Sequence, residues 1–156
     1  MTEFVALDTF MGTFGIHASS IGVFRIYLPN DLQDKKKETP FANQSNLLKQ
    51  ALEELKQYFN GQRQSFNIAL DLDLPPFYQK TLMEVSKIPF GTTVSYHDIA
   101  VRAGNPKAVR ATGNANAKNP VPIIIPCHRV LSSDGTLGGY GGGLDLKKRL
   151  LLHEGV

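Results

Sequence analysis

The sequence predicts an α+β protein in two parts: a small sheet packed by one helix, followed by a mainly helical part. Residues 1–74 hold short runs of alternating apolar residues and one amphipathic helix, whereas residues 75–156 hold several helical segments. Pro75 and Pro76 separate the halves, because proline interrupts regular structure but is accepted in the first turn of a helix. A chain of 156 residues can form two small domains, so we place the boundary between Leu74 and Pro75.

Three strands are predicted at the start of the first part, each bounded by glycine, proline or asparagine. They cover residues 3–7, 13–18 and 23–28. In the third, Phe24, Ile26 and Leu28 recur at every second position, which predicts that they share one face. Residues 33–43 are polar and charged and predict a surface loop. The run from Lys35 to Lys37 could instead be a basic binding patch, although acidic residues flank it.

The clearest amphipathic helix is predicted over residues 45–59. Its apolar stripe consists of Leu48, Leu52, Leu55 and Phe59, and Asn60-Gly61 is its stop signal. Residues 66–72 carry apolar side chains at every second position, Phe66, Ile68, Leu70 and Leu72, which predicts a final strand. Nothing in this half indicates chemistry.

Two short helices are predicted in the middle of the second part, after a longer helix over residues 77–87. Ser95 and Asp98 form a capping-box-like start for the first, which Gly104 closes. Asn105-Pro106 opens the second, over residues 107–115, which is rich in alanine and glycine. Together they form a helix-turn-helix pattern, which is found both in DNA-binding proteins and in purely structural helix pairs.

Charge is distributed unevenly along the chain. Residues 1–74 contain 7 Lys and Arg against 9 Asp and Glu, and residues 75–156 contain 10 against 5, so the halves carry −2 and +5. The basic half suggests a polyanionic partner, or a solvated surface. With 42% hydrophobic and 20% charged residues, the composition excludes disordered, collagen-like and coiled-coil classes. We expect a soluble intracellular protein, because no apolar run reaches membrane-spanning length and the N-terminus lacks a basic secretory signal.

A single cysteine, Cys127, follows three isoleucines bounded by prolines, which predict a short buried strand over residues 123–125. One cysteine excludes an internal disulfide and a multi-cysteine zinc site. With His128 beside it, Cys127 is a candidate activated nucleophile, because a nearby base can generate the thiolate. A lone cysteine in an intracellular protein is by default only a small buried apolar residue. Neighbours in an extended segment point to opposite faces, so a partnership needs a local turn or a bridging water.

A glycine-rich loop over residues 138–143 surrounds Tyr140 and matches no phosphate-binding fingerprint. Its glycines would let backbone groups approach a ligand closely. Alternatively, the loop is only a long turn. The closing helix is predicted over residues 144–153 and is followed by Glu154, which could orient a histidine or cap the surface.

The motifs SYHDIA, AGNPKAVRATGNANAKNPVPIIIPCHRV, GGYGGGL and LLLHEG, in this order and spacing, resemble the O6-alkylguanine-DNA alkyltransferases. The resemblance is strong over residues 77–156 and weaker over residues 1–74. It implies a ribonuclease-H-like N-terminal domain with a structural role and a winged-helix C-terminal domain. It also implies direct-reversal DNA repair, in which a cysteine takes the alkyl group from O6-alkylguanine, and less readily from O4-alkylthymine, in one irreversible turnover.

The resemblance implies roles for four catalytic residues. Cys127 would be the nucleophile that keeps the alkyl group as a thioether. His128 would be the base, acting through a water, and Glu154 would orient it. Asn119 would hold the active-site turn by hydrogen bonding.

Six further residues would bind DNA or the damaged base, by the same resemblance. Tyr96 would help rotate the nucleotide out of the helix, and Arg110 would fill the vacated stack. Ala111 belongs to the small surface of the second helix, which would enter the minor groove of alkylated double-stranded DNA. Backbone groups of Val130, Tyr140 and Gly141 would line the guanine pocket.

We expect no metal, no cofactor and no membrane association, and a monomer in the cytoplasm, or in the nucleus of a eukaryote. Three hypotheses compete: a suicidal alkyltransferase, a protein that binds the lesion without transfer, and a helix-turn-helix regulator with a structural cysteine.

Overall fold

The computed structural model describes residues 1–32 and 37–156, and it divides into two compact units, Met1–Leu72 and Asp73–Val156. The first unit holds a sheet and a helix and the second is mainly helical, so the predicted α+β class is confirmed. The division lies two residues before the boundary expected at Leu74. Lys35 and Lys36 of the expected surface loop lie outside the described residues.

The first unit contains a three-stranded antiparallel sheet in the order β1-β2-β3. Its strands are β1 (Glu3–Thr9), β2 (Gly12–Ala18) and β3 (Val23–Tyr27). Period two places Val5 opposite Ile16 and Leu7 opposite Phe14, all four buried. Helix α1 (Asn46–Phe59) covers this face with an apolar stripe and stacks Phe59 on Phe14 at 4.8 Å between ring centroids. The sheet and helix therefore enclose the core of this unit.

The shared face expected for Phe24, Ile26 and Leu28 is wrong for Phe24. The pairing of β2 with β3 shifts register between His17 and Ala18, so that Ala18 pairs with Val23 and Phe24 is the extra residue of a bulge. The bulge turns the buried Val23 inward. Phe24 lies half-buried against the ring of His17, at 4.4 Å between centroids.

The strand expected over residues 66–72 is also wrong, since this segment makes only an isolated bridge from Leu70 to Val23. Side chains of α1 occupy the backbone groups that a strand would pair. Glu54 accepts a hydrogen bond from the N–H of Asn67, and Gln50 donates to its carbonyl, at 2.8 and 2.7 Å. Pairing with β3 is limited to Val23, which exchanges backbone hydrogen bonds with Ala69 and Asp71, and is too short to form a strand.

The second unit packs helices around a short parallel ladder. The helices are α2 (Pro76–Ser86), α3 (Tyr96–Arg102), α4 (Val109–Ala117) and α5 (Leu144–His153), and the ladder pairs β4 (Val94–Ser95) with β5 (Val130–Leu131). The capping box at Ser95 and Asp98 and the bounds of α5 are confirmed. None of the helices in the described ranges is long and apolar enough to cross a membrane.

Helix α4 begins two residues later than expected. Asn105-Pro106 starts a turn instead of capping a helix, and the N–H of Ala108 donates to the carbonyl of Asn105 at 3.0 Å. Proline is favoured at the second position of such turns. Ala108 is the N-cap and provides no side-chain hydrogen bond.

Candidate active site

Cys127 lies on a tight turn, and the strand expected over residues 123–125 is wrong. Ile123 has a φ of 75°, and the N–H of Ile125 donates to the carbonyl of Val121 at 3.0 Å. The N–H of Cys127 then donates to the carbonyl of Ile125 at 2.8 Å, and a 3-10 turn covers Cys127–Arg129. The prolines of this segment lack the N–H groups that a strand would use. The chain therefore provides the local turn that a partnership of Cys127 and His128 requires.

Asn119 braces this turn from both sides, in agreement with its expected contacts. Its amide nitrogen donates to the carbonyl of Ile125 at 2.7 Å, and its amide oxygen accepts from the N–H of Val121 at 3.0 Å. A β-branched residue with positive φ, such as Ile123, is strained and persists only where its surroundings fix it. Asn119 supplies part of that restraint.

The thiol of Cys127 is buried, and only 5% of the residue is exposed. Burial raises the pKa of the thiol above its ordinary value, and contacts with Asn119, Lys147 and Tyr140 partly oppose this. At neutral pH the thiol is therefore protonated, and it needs a base to become a nucleophile.

His128 follows Cys127 in the same 3-10 turn. It is fully buried, and its Nε2 lies 2.7 Å from Oε2 of Glu154, so this nitrogen donates to the carboxylate. Burial lowers the pKa of His128, although Glu154 opposes the shift. The ring is therefore neutral near pH 7. Its buried Nδ1 has no hydrogen-bond partner among the described residues and keeps a lone pair for a proton.

Arg129 joins His128 on the same carboxylate, and this role was not predicted from the sequence. Its Nε and one terminal nitrogen donate to the two oxygens of Glu154 at 2.7 and 2.9 Å. Its other terminal nitrogen donates to the carbonyl of Ile88 at 2.7 Å. Glu154 thus receives a bidentate arginine and orients the histidine, with all three side chains buried.

Lys147 is a second site residue that sequence reasoning missed. It is fully buried, and its Nζ donates to the carbonyls of Val130 at 2.7 Å, Gly139 at 3.2 Å and Leu137. Burial lowers its pKa to about 8. The available signal was its place beside Leu146 in the apolar stripe of α5, where a charged residue is unusual. Lys147 ties the glycine-rich loop to β5.

Tyr96 packs between two glycines near the cysteine. A Cβ atom on Gly113 would lie 3.9 Å from its ring, and one on Gly138 would lie 3.2 Å away. Burial raises the pKa of Tyr96, and a hydrogen bond from the side chain of Asn116 opposes the shift. Asn116, also missed in the sequence, donates to the carbonyl of Cys127 at 3.2 Å.

The structure brings some of the other predicted residues to this cluster and leaves others outside it. The side chain of Tyr140 lies near the thiol and lowers the pKa of Cys127. Val130 is buried at the start of β5, and Gly141 is exposed on the loop. Arg110 and Ala111 lie on the exposed face of α4.

The cluster can perform nucleophilic substitution at carbon: a shielded thiol, a neutral imidazole with an available lone pair, and a buried anion to stabilise the imidazolium. Across residues 1–32 and 37–156 there is no group of three histidine, cysteine or acidic residues that could hold a metal ion.

Both units match models of a known family. Residues 76–156 match the 6-O-methylguanine DNA methyltransferase, DNA binding domain, and residues 7–72 match the ribonuclease-like domain of the same family.

Individual relatives agree with these matches. A methylated-DNA-protein-cysteine methyltransferase of Methanosarcina barkeri is 42% identical over 133 residues, which cover 85% of this chain and 78% of that protein. The constitutive enzyme of Bacillus subtilis is 35% identical over 98% of this chain and 94% of its own length. The structure of Mycobacterium tuberculosis OGT in complex with DNA superposes with a TM-score of 0.84 at 33% identity, covering 97% of this chain and 92% of that one. The chain belongs to the family of methylated-DNA-protein-cysteine methyltransferases.

Proposed function

We propose that the protein repairs DNA by moving one alkyl group from O6 of a damaged guanine to Sγ of Cys127. The observation that carries this proposal is a buried thiol held on a turn beside the His128–Glu154 pair. The sulfur attacks the alkyl carbon, the bond from that carbon to O6 breaks, and a thioether forms. The departing guanine takes up one proton, which balances the proton that the thiol loses. A thioether, unlike a disulfide, is not reversed by thiol exchange, so each molecule reacts once.

His128 would accept the thiol proton at Nδ1, through one water. The neutral state of the ring supports this role, as does the absence of a partner for Nδ1 in the described chain. Glu154 would stabilise the imidazolium that forms, while Asn119 keeps the turn in place.

The damaged base must leave the duplex, because O6 of a stacked guanine cannot reach a buried thiol. Tyr96 would donate a hydrogen bond to the flipped base, and backbone groups of Val130, Tyr140 and Gly141 would line its pocket. The buried ammonium of Lys147 supports a fixed pocket, since it binds carbonyls on both sides of it.

Helix α4 would enter the minor groove of alkylated double-stranded DNA. Its exposed face carries Arg110 and Ala111, and small residues let a helix approach a groove closely. Arg110 would fill the space that the flipped base leaves. Residues 75–156, with a net charge of +5, would contact DNA phosphates, so the affinity for DNA should fall as the salt concentration rises. We expect the protein to act as a monomer, in the cytoplasm or, in a eukaryote, the nucleus.

Intact-mass measurement tests the proposed reaction. Incubation with duplex DNA containing O6-methylguanine is expected to add one methyl group, and no more, to each protein molecule. Peptide mapping is expected to locate the methyl group on Cys127, and the O6-methylguanine in the DNA should be converted to guanine. Unchanged mass together with tight binding of the lesion would instead support a lesion-binding protein. A methyl group on another residue would contradict the role of Cys127.

Replacing Arg110 by alanine is expected to slow repair of duplex DNA by about tenfold, since the vacated stack would remain unfilled. Reaction with free O6-benzylguanine, which needs no flipping, should stay within about twofold of the parent rate. Both rates are measured as loss of unmodified protein by mass. Arg102→Ala, which removes an exposed arginine from α3, is the matched control for lost charge. Equal losses for Arg110→Ala on both substrates would contradict the role in flipping.

A further inference from the structure

Asn116 is a buried amide in contact with two site residues from different parts of the second unit. It lies on the inner face of α4, and 5% of it is exposed. Its Nδ2 donates to the carbonyl of Cys127 at 3.2 Å. The same side chain hydrogen-bonds to Tyr96, the first residue of α3. Asn116 therefore connects the nucleophile's turn to the tyrosine that faces the proposed base pocket.

Because Oδ1 of Asn116 has no hydrogen-bond partner within the described residues, the contact with Tyr96 is made by Nδ2, which donates. The contact lowers the pKa of the phenol, as a donor to the phenol oxygen does by stabilising the phenolate. A primary amide has two N–H donors, enough for both the Cys127 carbonyl and the Tyr96 oxygen. Since the phenol oxygen accepts this bond, its own proton stays available to a further acceptor. A hydroxyl that accepts a hydrogen bond is also a stronger donor.

Packing alone does not account for an amide at this position. The Oδ1 of Asn116 is buried and has no hydrogen-bond partner within the described residues. An apolar side chain of similar shape would avoid burying that acceptor. Gly113, one turn earlier on α4, lets the helix lie close to the Tyr96 ring. The amide donors thus remain the feature that distinguishes asparagine here.

We infer that Asn116 is a positioning residue for alkyl transfer, which holds the Tyr96 hydroxyl so that its proton points to the flipped base. The inference depends on the proposed role of Tyr96. Asn116 does not touch the substrate itself; it acts through the phenol, whose donated hydrogen bond assists departure of the guanine as the thioether forms.

A double-mutant cycle tests this inference. The rate of methyl transfer from duplex O6-methylguanine to Cys127 is measured for the parent, Asn116→Ala, Tyr96→Phe and the double variant. We expect Asn116→Ala to slow transfer about tenfold in the parent, as loss of one well-placed hydrogen bond predicts. In the Tyr96→Phe background, Asn116→Ala should slow transfer by less than about twofold, because the hydroxyl that Asn116 holds is absent. Equal losses in both backgrounds would overturn the inference.

Two further variants separate hydrogen bonding from packing. Asn116→Leu keeps a branched side chain of similar size without donors, and we expect it to be as slow as Asn116→Ala. Recovery of the rate in Asn116→Leu would show that only volume matters and would also overturn the inference. Thr112→Val is the matched control, because it alters the same buried face of α4 at a hydroxyl that has no hydrogen-bond partner in the described chain. Its rate should stay within about twofold of the parent.

Failure of the underlying proposal is distinguishable from failure of this inference. If Tyr96→Phe alone leaves the rate unchanged, the proposed role of Tyr96 is wrong. If Tyr96→Phe slows transfer but the cycle shows no coupling, Tyr96 keeps its role and Asn116 loses the one inferred here. Thermal melts of every variant establish that the compared proteins are folded.

Discussion

Replacing Cys127 by serine is expected to abolish alkyl transfer, with a loss of more than about a thousandfold. Serine keeps the size of the side chain, so the turn and its bracing by Asn119 should persist. Its hydroxyl is a far weaker acid than a thiol, so almost none of it is ionised at pH 7, and oxygen is a much poorer nucleophile than sulfur toward an alkyl carbon. Intact mass after incubation with duplex O6-methylguanine should show no added methyl group.

A measurement of DNA binding distinguishes the loss of alkyl transfer from a loss of affinity for the damaged duplex. Fluorescence anisotropy should give Cys127→Ser an affinity for the damaged duplex within about twofold of the parent, because phosphate contacts dominate affinity. Adding Ser133→Cys to Cys127→Ser supplies an exposed thiol outside the cluster. That double variant should also gain no methyl group from DNA. Transfer to either variant would contradict a reaction that depends on the buried thiol and its neighbours.

The cysteine, its histidine and the final glutamate were predictable because short motifs carry them. The geometry that joins them was not. His128 and Glu154 are 26 residues apart, and only the packing of α5 against the 3-10 turn brings their side chains to 2.7 Å. Arg129, Lys147 and Asn116 were missed for the same reason. Polar residues are usually exposed, and of these three only Lys147, within the apolar stripe of α5, had a local signal of burial.

Elements were predicted best where one local pattern acted alone. The period of α5 and the capping box of α3 correspond to observed elements. Three consecutive isoleucines favour a strand, but the flanking prolines and the side chain of Asn119 fix a turn instead. Residues 66–72 have the alternation of a strand, yet Gln50 and Glu54 take the backbone groups of Asn67. In both cases side-chain hydrogen bonds from elsewhere overrode a backbone preference.

Glu154→Gln is expected to be the most destabilising substitution in the second unit's polar core. The carboxylate is buried between the guanidinium of Arg129 and the ring of His128. Its removal leaves the arginine charge buried without a counter-charge, which costs about 3–5 kcal/mol. In a domain of this size, that loss lowers the melting temperature by at least about 12 °C. Differential scanning calorimetry of parent and variant measures it. By contrast, Glu84→Gln removes one partner of a pair whose Lys87 side chain is 61% exposed, and should cost less than about 1 kcal/mol.

A second variant separates the structural role of Glu154 from its catalytic one. Arg129→Met added to Glu154→Gln removes the unpaired charge and fills the space with an apolar chain, so most of the lost stability should return. Alkyl transfer should stay at least about tenfold slower than in the parent, because the imidazolium of His128 still lacks its carboxylate. If the double variant regained both stability and rate, Glu154 would act only by neutralising Arg129. If it regained neither, the buried arginine charge would not be the source of the instability. Recovery of stability without recovery of the transfer rate would show that Glu154 both neutralises the buried charge of Arg129 and stabilises the imidazolium of His128.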